Sequence, residues 1–200
     1  MGKQLIISVG REYGSGGHEI GRKLANAFGI HLYDRSLLDE FAAMQGVDPT
    51  ELFKYDEAPR RPFFSRTVRG YTNSPEVNIA ELQFDLLRKK ADSGESFVVV
   101  GRCADTILRG NEGLISIFVH ADYEAKIERV ITHRNRSRKE AIATIERHDK
   151  NRKAYHNRMC GGMWGETKNY DICINSSKLG IDGTVEFLKV YIEKILESRG

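Results

Sequence analysis

Apolar, β-branched runs recur along the chain at "LIISVG" (5–10), "IHLYD" (30–34), "FVVVG" (97–101), "LISIFVH" (114–120) and "YDICIN" (170–175). Most lack strict alternation, which is the pattern of strands covered on both faces, as in a parallel sheet. Helical spacing fills the intervals. Ile20, Leu24, Ala27 and Phe28 share one face, and Gly29 ends that helix. Leu37, Leu38, Phe41 and Met44 mark a second helix, and Val77, Ala80, Phe84 and Leu87 a third. Asp122 stands where it can cap a fourth, in which Ile127, Val130 and Ile131 are apolar. "SRKE" (137–140) is a capping box opening a fifth, and Val185, Leu188, Val190, Tyr191 and Ile195 line the last. Strands alternating with helices predict an α/β doubly wound parallel sheet with right-handed crossovers. Two stretches, 35–95 and 134–166, do not fit a simple βα repeat and read as insertions on a single domain spanning 1–200.

Composition narrows this only a little. Two hundred residues suit one α/β domain with a large core. A net charge of +3 demands no polyanionic partner, so any electrostatic argument must be local. Cys103, Cys160 and Cys173 show no CxxC spacing, and their odd number without a leader-like segment predicts a reduced, cytoplasmic protein. No apolar run has the length to span a membrane. His31, His120, His133, His148 and His156 show no zinc spacing, so no metal site is predicted among them.

The chemistry concentrates in "ISVGREYGSGGHEIGRKL", a strand, a glycine turn and a helix in succession. Glycines allow positive φ, so the N–H groups of Gly14, Ser15, Gly16 and Gly17 can converge on one anion. The helix that begins near His18 and Glu19 adds its positive end, which makes phosphate or sulfate the predicted ligand. A loop of the form GxxxxGK[ST] would place a lysine and a hydroxyl after its last glycine. Gly17 takes the lysine position here, and neither His18 nor Glu19 supplies the hydroxyl. Ser15 is the remaining hydroxyl donor. Arg11, His18, Arg22 or arginines on a closing lid are the candidate replacements for the lost charge. Glu12 is an odd neighbour for a phosphate; it either holds Arg11 or another cation, or engages a hydrated metal.

The longer stretches "ISVGREYGSGGHEIGRKLANAFGIHLYDRSLL", "VVVGRCADTIL" and "IERHDKNRKAYHNRMCGGMWGETKNYDICINSS" resemble the cytidylate kinase-like family, a divergent branch of the P-loop nucleoside monophosphate kinases. The resemblance covers nearly the whole chain. It implies a three-layer P-loop fold with a five-stranded parallel sheet, a helical monophosphate-binding insertion at 35–95 and a basic lid at 134–166. It also implies ATP and Mg2+ as cofactors, although the sequence shows no clear protein ligand for magnesium. Gly14, Ser15 and Gly16 match the phosphate loop, and Asp34 and Arg35 match the start of the acceptor site. Arg102, in "GR" after the third long strand, matches an arginine facing the acceptor phosphate. Arg147 and Arg152 match a segment whose arginines reach both phosphates, and Arg134, Arg136 and Arg138 fall at the lid. Two aspartates of the family pattern are missing, with Cys103 and Asn151 in their places, so the acceptor is left open.

The expected function is therefore an ATP-dependent phosphotransferase acting on a nucleoside monophosphate or other small acceptor. The alternative is a non-catalytic nucleotide or phosphate sensor with a degraded loop. Phe63, Phe64, Arg66, Arg69 and Tyr71 suit a base site or a contact between two copies of the chain. Glu140, Glu146 and Asp149 interrupt the basic run at 134–158, which argues against nucleic acid as the partner.

Overall fold

The computed structural model describes residues 3–34, 37, 39, 42, 48, 50, 67–68, 71–72 and 75–199. Its centre is a parallel sheet of β1 (Ile6–Arg11), β2 (His31–Tyr33), β5 (Phe97–Val100), β6 (Leu114–His120) and β7 (Ile172–Asn175). Their spatial order is β2-β5-β1-β6-β7, so β1 is the middle strand. Ile6 lies opposite Phe97 on one side and Leu114 on the other. A short antiparallel pair, β3 (Thr67–Val68) and β4 (Tyr71–Thr72), falls in the first predicted insertion.

The near-continuous apolar strands have a simple cause. Ile7 and Val9 face α1 (Gly17–Phe28) and α6 (Ser176–Ser198), where they meet Ile20, Leu24, Leu188 and Ile192. Ile6, Phe97 and Val99 face the other way, onto Leu87 of α2 (Pro75–Asp92) and Ala104 of α3 (Ala104–Ile107). Both faces are covered, so neither needs polar residues, and the three predicted layers are present. Each fully buried Ile or Leu contributes about 1.5–3 kcal/mol of transfer free energy.

Helix α1 runs from Gly16, at φ 79°, to Gly29, at φ 63°. Its buried stripe takes Ala25 rather than the predicted Ala27, because Gly21 sits directly on Val100 and rotates the stripe to that side. Helix α4 (Tyr123–Arg134) begins after Asp122 as expected, but the Asp122 carboxylate accepts from Asn175 and Lys178 instead of capping its own helix. The capping box of α5 (Arg138–Cys160) is present in both directions between Ser137 and Glu140. In α6 the backbone breaks at Gly180, and Ile192 fills the core position while Val190 is exposed. The predicted lid region consists of the turn at 135–137, helix α5, and a segment to Glu166 that leads into a 3-10 turn (Thr167–Asn169). Most of the second predicted helix and the aromatic loop with Phe63, Phe64, Arg66 and Arg69 lie outside the described residues. Among the described residues no helix is long and apolar enough to cross a membrane.

Candidate functional site

A cavity of about 850 Å3 opens at the carboxyl ends of β1, β2 and β5, where open parallel sheets bind their ligands. Its floor is the predicted glycine loop. Gly14 and Gly16 hold φ of 78° and 79°, left-handed values that a residue with a Cβ reaches only under strain. Gly14 packs on the backbone of Lys126, and a Cβ at Gly16 would strike Ile181 of α6. Ser176 Oγ donates to the Ser15 carbonyl at 2.6 Å, so α6 supports the loop from beneath.

Two expectations about this loop change on contact with the structure. Ser15 is fully buried and does not line the cavity: its Oγ donates to the Glu12 carbonyl at 2.9 Å and accepts from the Gly17 N–H at 3.3 Å. Its hydroxyl fastens the turn. The lysine position is explained as well. A Cβ at Gly17 would lie 2.5 Å from Arg11 Cβ and 3.2 Å from Arg11 Cγ. The volume that a loop lysine would use is filled by the stem of Arg11, delivered from the end of β1.

The loop is held from the α4–α5 side by contacts spanning over a hundred residues of sequence. Lys126 Nζ lies 3.0 Å from Glu12 Oε2 and 3.3 Å from Asp149 Oδ2, and the side chain is only 8 % exposed. Asp149 also accepts the Tyr13 N–H at 2.6 Å. Burial pushes the Asp149 carboxyl above its usual range, against the pull of Tyr13 N–H and Lys126. Arg129 donates to the Gly14 carbonyl at 2.8 Å. The Tyr13 ring stacks on His148 at 4.4 Å, with the Arg152 guanidinium 5.6 Å from its centroid. Glu12 thus holds a cation, but the cation is Lys126 rather than Arg11.

The opposite wall comes from an unusual turn. Gly101, Arg102 and Cys103 are consecutive left-handed residues at φ 80°, 61° and 54°. For the two non-glycine residues this costs roughly 1–3 kcal/mol each, and such strain clusters at functional sites. The turn buries Arg102 and carries its Nη2 to 3.3 Å from the Asp34 carbonyl. His18 Nε2 lies 2.6 Å from Asp34 Oδ2, joining the start of α1 to the end of β2. Behind the turn, His156 Nε2 lies 3.1 Å from Asp105 Oδ2 in a buried pair. Burial pulls the His156 imidazole down, but the hydrogen bond and charge of Asp105 outweigh it and the net shift is upward. The Cys160 thiol is held below its usual range, first by a hydrogen bond from Cys103.

Of the predicted site residues, Arg11, Gly14, Gly16, Gly17, His18 and Glu19 line the cavity, as do Asp34, Arg102, Arg134 and Arg152. Arg136 and Arg147 do not. Arg136 lies 3.7 Å from Glu140 on the exposed rim, and Arg138 is paired with Glu124 at 2.8 Å. Arg147 is exposed because His148, Asn151 and Arg152 form the inward face of α5, one residue round the helix. Arg35 and Arg69 lie outside the described residues. Lys126, Arg129, Tyr13 and His148 were not singled out from sequence. The one available signal was Lys126 beside Ile127, a lysine bordering an apolar stripe. With Arg129 the cavity carries five arginines against the carboxylates of Glu12, Glu19 and Asp34, and Glu12 is already neutralised. The lining therefore carries an excess of positive charge.

Comparison with known proteins agrees with this geometry. A cytidylate kinase from Methanopyrus kandleri is 23 % identical over 202 residues, covering 96 % of this chain and 95 % of that protein. The crystal structure of an uncharacterized protein from Eubacterium ventriosum is 37 % identical, with a TM-score of 0.76 over 95 % of this chain and 99 % of that one. Shikimate kinase from Bacteroides thetaiotaomicron shares the fold at 14 % identity and a TM-score of 0.56, over 94 % of this chain and 98 % of the other. The model of the cytidylate kinase-like family matches residues 6–178, and the chain belongs to that family.

Proposed function

We propose that the chain is an ATP-dependent phosphotransferase that passes the γ-phosphate to a nucleoside monophosphate or another small acceptor. The observation that carries this reading is the exchange at Gly17. The loop has lost its lysine, and an arginine stem occupies the space the lysine would need. The stem that packs on Gly17 belongs to a residue that also lines the cavity, so a cation stays available beside the loop.

Phosphoryl transfer asks a protein for alignment, charge around the moving group and exclusion of water. In this reading the amide groups opening α1 and the Arg11 guanidinium hold the β- and γ-phosphates. Arg102, fixed on Asp34, holds the acceptor phosphate. Arg152, on the inward face of α5, lies between them, and Arg134 closes from the rim. Asp34 and Arg35, with Arg69, form the acceptor side. Arg136 would join only if the α4–α5 turn moved inward, and Arg147 only if α5 rotated about its axis. Magnesium, bound with ATP, would supply positive charge that neutralises the phosphates; Glu19 and Asp34 are the cavity carboxylates that would hold it.

The test is ATP consumption by the pure protein with magnesium, across nucleoside monophosphates and small alcohols, beside calorimetric ATP binding. Acceptor-stimulated turnover supports the proposal and names the substrate. ATP binding with no turnover for any acceptor overturns it in favour of a nucleotide sensor.

A further inference from the structure

The Gly101–Arg102–Cys103 turn brings together residues that the phosphate chemistry does not use. Cys103 Sγ, Cys160 Sγ and a ring nitrogen of His156 all lie within 4.8 Å of one another. Cys103 and His156 are buried, Cys160 half-buried. His156 and Cys160 are four apart on α5, so they share one helix face. The strained left-handed turn presents Cys103 to them from more than fifty residues earlier in the sequence. Linear spacing among histidines or among cysteines could not reveal such a mixed set.

We propose that Cys103, His156 and Cys160 form a binding site for a zinc-type divalent cation, with a fourth coordination position left open.

The chemistry of the donors sets the class of metal. Two sulfurs and one imidazole suit a borderline-soft ion and are poor ligands for magnesium or calcium, which take oxygen. Asp105 completes the arrangement. Its carboxylate engages His156 Nε2, while Nδ1 is a buried ring nitrogen with no well-formed hydrogen bond and only the Gly162 backbone beside it. A carboxylate on one imidazole nitrogen fixes the tautomer and raises the basicity of the other, which is how metal-binding histidines are commonly held. Tetrahedral zinc with Zn–S of about 2.3 Å places two sulfurs about 3.8 Å apart. The present spacing therefore needs a contraction of about 1 Å or less, within the reach of side-chain torsions.

Charge explains why the ligands are thiols. A small cavity of about 20 Å3 adjoins the cluster and is lined by Cys103, Asp105 and His156 together with Arg11, Arg102 and Arg152. A naked dication beside those arginines would be repelled. Two thiolates cancel its charge, and the metal centre becomes neutral. The cavity has room for about one water, which suits a fourth ligand. Bound metal would join α5 to the turn that carries Arg102, bracing two arginines of the larger cavity at once. The inference does not depend on the acceptor, or on turnover.

Cobalt is the probe. Reduced, chelator-treated protein is titrated with Co2+ and followed by absorption, then by displacement with Zn2+. One Co2+ per chain is expected, with a thiolate-to-metal charge-transfer band in the near ultraviolet and visible bands of tetrahedral intensity. Cys103→Ser and Cys160→Ser should each weaken binding at least a hundredfold, while Cys173→Ser leaves it unchanged. Asp105→Asn, which keeps all three ligands, should weaken it about 10–100-fold at the same stoichiometry. Zinc at a hundredfold its dissociation constant should raise the melting temperature by about 5–10 °C, and only in chains with both cysteines. Folded wild-type protein with three titratable thiols but no charge-transfer band at millimolar Co2+ overturns the proposal. So does wild-type affinity in folded Cys160→Ser.

Discussion

The floor and the rim of the cavity are both rich in arginine and lysine, yet they are built on opposite plans. On the floor, Lys126 is shared by Glu12 and Asp149, Arg129 holds the Gly14 carbonyl, and Tyr13 lies against His148 and near Arg152. Lys126 is buried at their centre, and the contacts around it are half-buried. On the rim, Arg136 and Arg138 meet Glu140 and Glu124 in full solvent, where such pairs are each worth about 0–1 kcal/mol. Both regions spend charge on charge. The floor does so where water cannot replace a lost partner, and the rim where it can. A phosphate bound as proposed would meet a braced cradle below and, above, cations that can be recruited at little cost.

The difference can be broken first at Arg11. Arg11→Ala removes the cation proposed to replace the loop lysine, and should lower kcat/KM by about 10²–10³, the usual loss for one preorganised charge-stabilising group. Steady-state kinetics with the acceptor that the turnover assay names would measure it. Adding Gly17→Lys to Arg11→Ala should not restore activity, because the Cβ that would lie 2.5 Å from a Cβ at position 17 remains in alanine.

Lys126→Met tests the floor's cohesion. It strands two carboxylates, and should destabilise the fold by about 3 kcal/mol in urea unfolding. The same change at an exposed rim lysine or arginine should pass almost unnoticed.

Acid titration sharpens the contrast because the two regions should respond with opposite signs. Asp149, raised by burial, keeps its proton in the folded chain to higher pH than in the unfolded one. Its contribution is full below the unfolded value near pH 4, and is lost as pH rises through the folded value. Glu140 is lowered by hydrogen bonds from the Ser137 backbone and hydroxyl. Its contribution is present above the unfolded value near pH 4.5 and is lost as pH falls. Urea midpoints measured from pH 3 to 7 should therefore lose their falling component in Asp149→Asn, and their rising component in Glu140→Gln.

The smallest effect belongs to Arg138→Ala. Its exposed bidentate pair with Glu124 should be worth no more than about 0.5 kcal/mol in the same unfolding assay.

Much of the fold was legible because periodicity records burial. All five sheet strands, the glycine loop, the stop at Gly29 and the Ser137–Glu140 box follow from patterns a few residues long. The site was legible where function is local, as at Gly14, Gly16 and Asp34. It was not where long side chains choose among distant partners. Glu12 looked out of place beside a phosphate loop because its cation, Lys126, lies more than a hundred residues away. Ser15 looked available because a hydroxyl's direction is invisible in sequence. Arg136, Arg138 and Arg147 read as one basic run with Arg134, but a single residue's rotation on a helix separates the cavity from solvent.

The support beneath the glycine loop has a consequence for the order of synthesis. Ser15 leaves the ribosome 161 residues before Ser176, which with Ile181 bears on the loop from below. Until α6 has been made, the nascent chain carries its glycine loop without the buttress that shapes it. If the loop holds nucleotide as proposed, capture waits for α6, and the nucleotide would be a ligand of the assembled sheet and helices rather than of their fragments.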